Sequence, residues 1–171
     1  MMELTRKPTR RNTAASITAA LGTLVVIGSG SPAGGLFGLV GLGLLALGLH
    51  RGVRLGVDLG GGILFISVVL GGLQGLSPEA SVIGAVGTLL AWDLANSAVE
   101  LGEQLGRETV TGRLESAHIV TSLAVGLLSA TVGYGVFVFS GAGYSLGVVV
   151  LLILAVVFLI AGLRSSRPEA A

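Results

Sequence analysis

The chain has no cysteine, a single lysine and a single tryptophan in 171 residues, and only 11% of it is charged. Without cysteine there are no disulfides, thiolate metal sites or cysteine nucleophiles. A soluble domain carries roughly 25% charged residues, so the scarcity of charge points away from an aqueous fold. A net charge of +1 offers nucleic acid no electrostatic footprint. No HExxH, Walker A loop or GxGxxG opening a helix after a strand is present, which sets aside zinc proteases, P-loop nucleotide hydrolases and dinucleotide enzymes. The only histidines are His50 and His118. They fall on the side of the chain opposite Ser29 and Ser31, the serines best exposed by glycine neighbours. A nucleophile and its base would stand about a bilayer apart. An aspartyl enzyme would need two aspartates; Asp58 and Asp93 are the only ones in the chain, and Val57-Asp58-Leu59-Gly60 matches no aspartyl-enzyme signature. The expectation is a non-enzymatic protein with no catalytic residue, cofactor or metal.

What the chain does contain is hydrocarbon and glycine. Hydrophobic residues make up 52% of it, there are 29 glycines, and mean hydropathy is +0.92. In a soluble helix each glycine costs about 1 kcal/mol relative to alanine, whereas in lipid glycines let helix backbones approach closely. Six apolar runs are read as spans: Thr13–Gly28, Ala33–Leu49, Leu55–Leu73, Pro78–Asn96, Ala117–Phe139 and Tyr144–Leu163. Crossing ~30 Å of hydrocarbon takes about 20 residues, so the first two are short and are expected to draw on polar flanks. The basic residues choose the orientation. Arg6, Lys7, Arg10 and Arg11 precede the first run, Arg51 and Arg54 follow the second, Arg107 and Arg113 follow the fourth, and Arg164 and Arg167 follow the sixth. The alternate loops hold no basic residue, and Glu79 is their one charge. Basic residues near span ends stay cytoplasmic. The expected fold is all-α: a polytopic integral protein of the cell membrane, six transmembrane helices in three hairpins, with both termini cytoplasmic. It divides into a basic N-terminus (1–12), a membrane domain (13–163) and a tail (164–171). Arg6 to Arg11 followed by Thr13 to Ile27 also has the form of a cleavable signal peptide; the charge alternation favours its retention as a span.

The alternate loops expose a weak repeat. Ser31-Pro32 is followed by Gly38 and Gly41, and Ser77-Pro78 by Gly84 and Gly87 at the same offsets. The third turn, Ser140-Gly141-Ala142-Gly143, lacks the proline. Gly34 and Gly38, and the row Gly52, Gly56 and Gly60, are spaced for helix packing. Gly60-Gly61-Gly62 invites local unwinding of the third span, which could expose carbonyls to an ion.

One connection is long, the cytoplasmic stretch from Asp93 to Ser116. Leu94, Ala98, Leu101 and Leu105 recur on one helical face, opposite Asn96, Glu100, Glu103, Gln104 and Arg107. Glu103 and Arg107 are spaced to pair along the helix. The reading is that helix four continues past the bilayer as an amphipathic arm, at about 97–116. Its polar face carries mainly acid, which suits a protein partner or its own bundle better than anionic lipid. Glu100, Glu103, Gln104, Arg107 and Glu108 are the candidate partner-binding residues. Ionisable groups at membrane depth are costly and default to functional candidates. Asp58, Asp93, Glu115 and His118 form the candidate polar cluster, able to bind a cation or relay protons; the competing reading makes them ordinary boundary residues.

Ala91-Trp92-Asp93-Leu94, Glu100-Leu101-Gly102-Glu103-Gln104-Leu105-Gly106-Arg107-Glu108, and then Glu115 and His118 resemble a family of small uncharacterised multi-pass membrane proteins of halophilic archaea. The resemblance is specific in the arm and covers about a sixth of the chain. It implies no activity, substrate or catalytic residue. It does imply an accessory role beside AAA-type ATPases. Two functions are therefore expected in order. The first is a membrane subunit or scaffold docking a partner, or a second copy of itself, through the arm. The second is a small oligomeric transporter or channel for a cation or small solute, using Asp93 and His118.

Overall fold

A computed structural model describes residues 8–105 and 112–140. Among them are five helices and no strand: α1 (Arg10–Gly30), α2 (Pro32–Arg51), α3 (Arg54–Leu73), α4 (Pro78–Leu105) and α5 (Gly112–Ser140). All five are long and apolar enough to cross a membrane. The sixth expected span, Tyr144–Leu163, lies outside the described residues, as do Arg6, Lys7 and the turn residues after Ser140. The described residues fall into two compact units, divided after Ala130. In the second, the end of α5 stacks the rings of Tyr134 and Phe137 at a centroid distance of 6.3 Å.

The helices start and stop where local chemistry dictates. Ser31 is the whole link between α1 and α2: its hydroxyl accepts the Gly34 N–H at 2.9 Å while Pro32 occupies the first helical position. Ser77 repeats this, accepting the Ala80 N–H at 3.2 Å ahead of Pro78. A serine cap followed by proline satisfies one orphan donor and puts proline where no donor is needed. At the other end of α2, Gly52 adopts φ +67°, and Val53 N–H reaches back to Gly48 O at 2.9 Å. That backbone is a glycine-terminated helix end. Gly52 thus closes α2. At 21 and 20 residues, α1 and α2 are each about 30 Å long. They reach full span length because the helices extend to Arg10 and Arg51, into the polar flanks.

The first unit is apolar on the outside. Leu21, Val25, Leu36, Leu47, Leu55, Leu73 and many other large hydrophobics are exposed, while Asn12, Ser16, Thr23, Ser67, Thr88 and Glu115 are buried. Beside an apolar core that includes Leu45, Val57 and Leu64, so many exposed large hydrophobics depart from a soluble surface and suit a hydrocarbon solvent. The buried face of α1 is its polar stripe, Asn12, Ser16, Ala20, Thr23 and Ile27, and it lies on α4. The most extensive contact joins α2 to α3, and glycines make it. A Cβ on Gly41 would stand 2.7 Å from Leu64 N, and one on Gly48 2.5 Å from Val57 N. Gly34, Gly38, Gly56 and Gly60 are likewise filled against neighbours, Gly38 by the Leu24 side chain.

The triple glycine does not unwind α3, which runs unbroken from Arg54 to Leu73. Its purpose is visible at Gly61, where a Cβ would sit 2.6 Å from Cγ of Trp92. The missing side chain makes room for an indole.

Candidate functional site

The polar chemistry gathers on one stretch of α4, Ala91 to Ala98, which meets α1, α3 and α5 in turn. Toward α3, Trp92 Nε1 donates to Asp58 Oδ1 at 2.9 Å and Asn96 Nδ2 to the same oxygen at 3.3 Å. Trp92 and Asn96 are four residues apart, hence on one face, and the indole lies across Gly61 to reach the carboxylate three positions earlier in α3.

Toward α5, Asp93 Oδ2 accepts the Ser122 hydroxyl at 2.6 Å and stands 3.2 Å from His118 Nε2. His118 and Ser122 are again an i, i+4 pair. The side chains are about half accessible, 51% for Asp93 and 38% for His118. They open onto a cleft of about 360 Å³ between α4 and α5, walled by Val86, Leu89, Leu90 and Val125, with Thr121 and Ser129 adding hydroxyls. Gly126 gives the wall its closeness, a Cβ there being 3.2 Å from Val86 Cγ1. Ser122 and His118 address the same oxygen of Asp93. A hydrolytic triad needs the imidazole between serine and carboxylate, so this arrangement provides the serine with no base.

Toward α1, the link is made by backbone and amide groups. Thr9 N–H donates to Ala98 O at 3.1 Å, Asn12 Nδ2 to Ser97 Oγ at 3.1 Å, and the Ser16 hydroxyl to Ala91 O at 2.6 Å. The carboxylate of Glu115, only 4% exposed, completes this end. Its Oε2 accepts the N–H groups of Arg11 and Asn12 at 3.1 and 3.2 Å, while Arg11 Nη1 donates to Ser116 Oγ. Thr9 makes no side-chain cap to α1. An acid from α5 therefore supplies what the first turn of α1 lacks, acceptor and negative charge together.

Of the candidate cluster, Asp93 and His118 come together directly. Asp58 and Glu115 have other partners, on α4 and α1. Sequence reasoning missed Ser122, Asn12, Ser16 and Trp92 as contact makers. The signal was there: each lies one helical turn from another polar residue. Of the arm, Glu100 is exposed near the end of α4, Glu103 and Gln104 fall in its last turn, and Arg107 and Glu108 lie outside the described residues. On the arm's apolar face, Ala98 is buried in the bundle core and Leu101 is half-buried. Among the described residues no group of three His, Cys, Asp or Glu could hold a metal ion.

Residues 6–160 match a family of unknown function, DUF7519, and the chain belongs to that family. No curated protein and no solved structure matches it.

Proposed function

We propose that this member of the family is a non-enzymatic subunit or scaffold of the cell membrane, spanning it six times with both termini cytoplasmic. On this reading it docks a partner protein through the arm between helices four and five. The observation that carries the reading is the use of the polar groups. Asp58, Asp93 and Glu115 each hold one helix to another, and Glu100 stands exposed near the end of α4, where the arm begins. At 28 residues, α4 is about 42 Å long, more than the ~30 Å hydrocarbon requires, so its end projects into water. The resemblance to membrane proteins of halophilic archaea agrees with this reading.

Purification from native membranes in mild detergent tests it. A stoichiometric partner is expected with the native chain and not with a variant carrying Glu103→Lys and Arg107→Glu; a partner retained by both, or absent from both, removes the arm as a dock. Topology has its own test, made simple by the absence of cysteine. Single cysteines at Ser29 and Ser77, both exposed, are expected to react with an impermeant maleimide from outside intact cells, and one at Arg51 only after lysis. The opposite pattern would invert the orientation.

The α4–α5 cleft favours a second reading, a small transporter or channel for a cation or small solute. A carboxylate held by a hydroxyl beside an imidazole, in an apolar-walled cleft, suits a cation or a relayed proton. Asp93→Asn would then abolish flux in proteoliposomes at unchanged assembly. Equal flux for native and variant protein would return Asp93 to helix stitching.

A further inference from the structure

We propose that the cleft between the start of α1 and the end of α2 seats the headgroup of an anionic phospholipid, with its phosphate between Arg10 and His50. The cleft measures about 590 Å³ and is lined by Pro8, Arg10, Thr13, Ile17, Leu49 and His50, with Ala14 and Ala46 leaving space between the helices. Among the described residues, its lining contains no acidic side chain. Arg10 and His50 belong to different helices that meet at the same end of the bundle, and both are exposed. A guanidinium presents a fork of donors that fits phosphate oxygens, and an imidazole on the opposite rim adds another donor. Further cations flank the site in the chain, Arg11 beside Arg10 and Arg51 beside His50.

Below this mouth the walls turn apolar. Helical spacing continues the α1 wall from Ile17 to Leu21, 46% exposed, and the α2 wall from Ala46 through Leu42 to Leu39, 54% exposed. A cationic mouth over an apolar track that runs toward the bilayer centre complements a phosphodiester with its acyl chains. Basic pockets between transmembrane helices on the cytoplasmic side are known seats for anionic headgroups. The inference rests on α1 and α2 spanning the membrane with their basic ends at the cytoplasmic interface, as proposed above, but not on partner docking through the arm. The maleimide labelling therefore separates a failed topology from a failed lipid site.

The test is native mass spectrometry of the full chain, released from nanodiscs containing equal phosphatidylglycerol and phosphatidylcholine. The native chain is expected to retain phosphatidylglycerol preferentially. Arg10→Gln should lower that retention about fivefold, the value of one basic group at a membrane surface. Arg113→Gln removes the same charge at the start of α5 and should leave retention unchanged. Should Arg10→Gln fail to assemble, Ala46→Phe fills the cleft without touching a charge and must release the lipid instead. Equal retention of phosphatidylcholine, or equal loss in Arg113→Gln, overturns the proposal.

Discussion

The α2–α3 and α1–α4 contacts hold long apolar helices together in different ways. Between α2 and α3 the contact is backbone against backbone: Gly41, Gly48, Gly56 and Gly60 bring the chains so close that a methyl group would collide with a main-chain atom. Between α1 and α4 side chains do the holding, with Ser16 on Ala91 O, Asn12 on Ser97, and Glu115 of α5 closing the end. In water both contacts would be dominated by hydrophobic burial. In hydrocarbon that driving force between helices vanishes, leaving packing and interhelical hydrogen bonds. Backbone-close glycines dominate between α2 and α3, and hydrogen bonds between α1 and α4, where Gly87 also packs directly on Thr23. A glycine contact has no tolerance for added volume, while a hydrogen-bonded contact tolerates volume but not the loss of an acceptor.

The difference can be broken most severely at Gly48. Gly48→Leu places a side chain into Val57 N and the Gly56 backbone, and overpacking of this kind costs about 3 kcal/mol. The expected result is a chain that no longer elutes as a single species in detergent. Gly43→Leu, at a glycine with open space around it, should behave as native, and loss of assembly in both would refute the backbone contact. Next comes Glu115→Ala. It strands two N–H groups of α1 and removes the charge at its N-terminus, a loss of about 1–3 kcal/mol. Denaturation in mixed micelles should show it, with Glu115→Gln recovering part because an acceptor remains. The smallest effect belongs to Ser16→Ala, about 0.6 kcal/mol on the scale of transmembrane hydrogen bonds. Ser67→Ala, whose hydroxyl bonds only Leu64 O in its own helix, should cost less still. If Ser67→Ala proved the more damaging, the hydrogen-bonded character of the α1–α4 contact would be in doubt.

Much of the architecture is legible before any coordinates. Pro32 and Pro78 mark helix starts because each follows a serine able to cap, and Gly34, Gly38, Gly56 and Gly60 do pack. The role of Gly52 as the end of α2 was not legible, because a glycine at packing spacing and a glycine ending a helix look alike in one dimension; its φ reveals the helix end. The triple glycine misleads for a related reason. A missing side chain is read as missing stability, yet the space at Gly61 belongs to Trp92, 31 positions later. Pairing is the harder matter. A helix that is apolar all round offers no stripe to say which neighbour it faces, so Asp93 with His118 was within reach while Glu115 on the start of α1 was not. The informative residues on α1 were its polar ones. Asn12, Ser16 and Thr23 mark the buried face, since lipid reverses the usual rule. The hydroxyls of Thr23 and Thr88, buried on α1 and α4, have no partner among the described residues.

The carboxylate that closes α1 also sets an order in time. Arg11 and Glu115 are separated by 104 positions. At ribosomal speeds of about 5–20 residues per second, the first helix waits roughly 5–20 s for its acceptor. Through that interval its opening turn is unsealed, and for most of it the polar stripe has no complete α4 to lie on. The first helix to be made is among the last to be secured, so a stalled or truncated chain ending before Glu115 would expose this unfinished terminus to whatever surveys nascent membrane proteins.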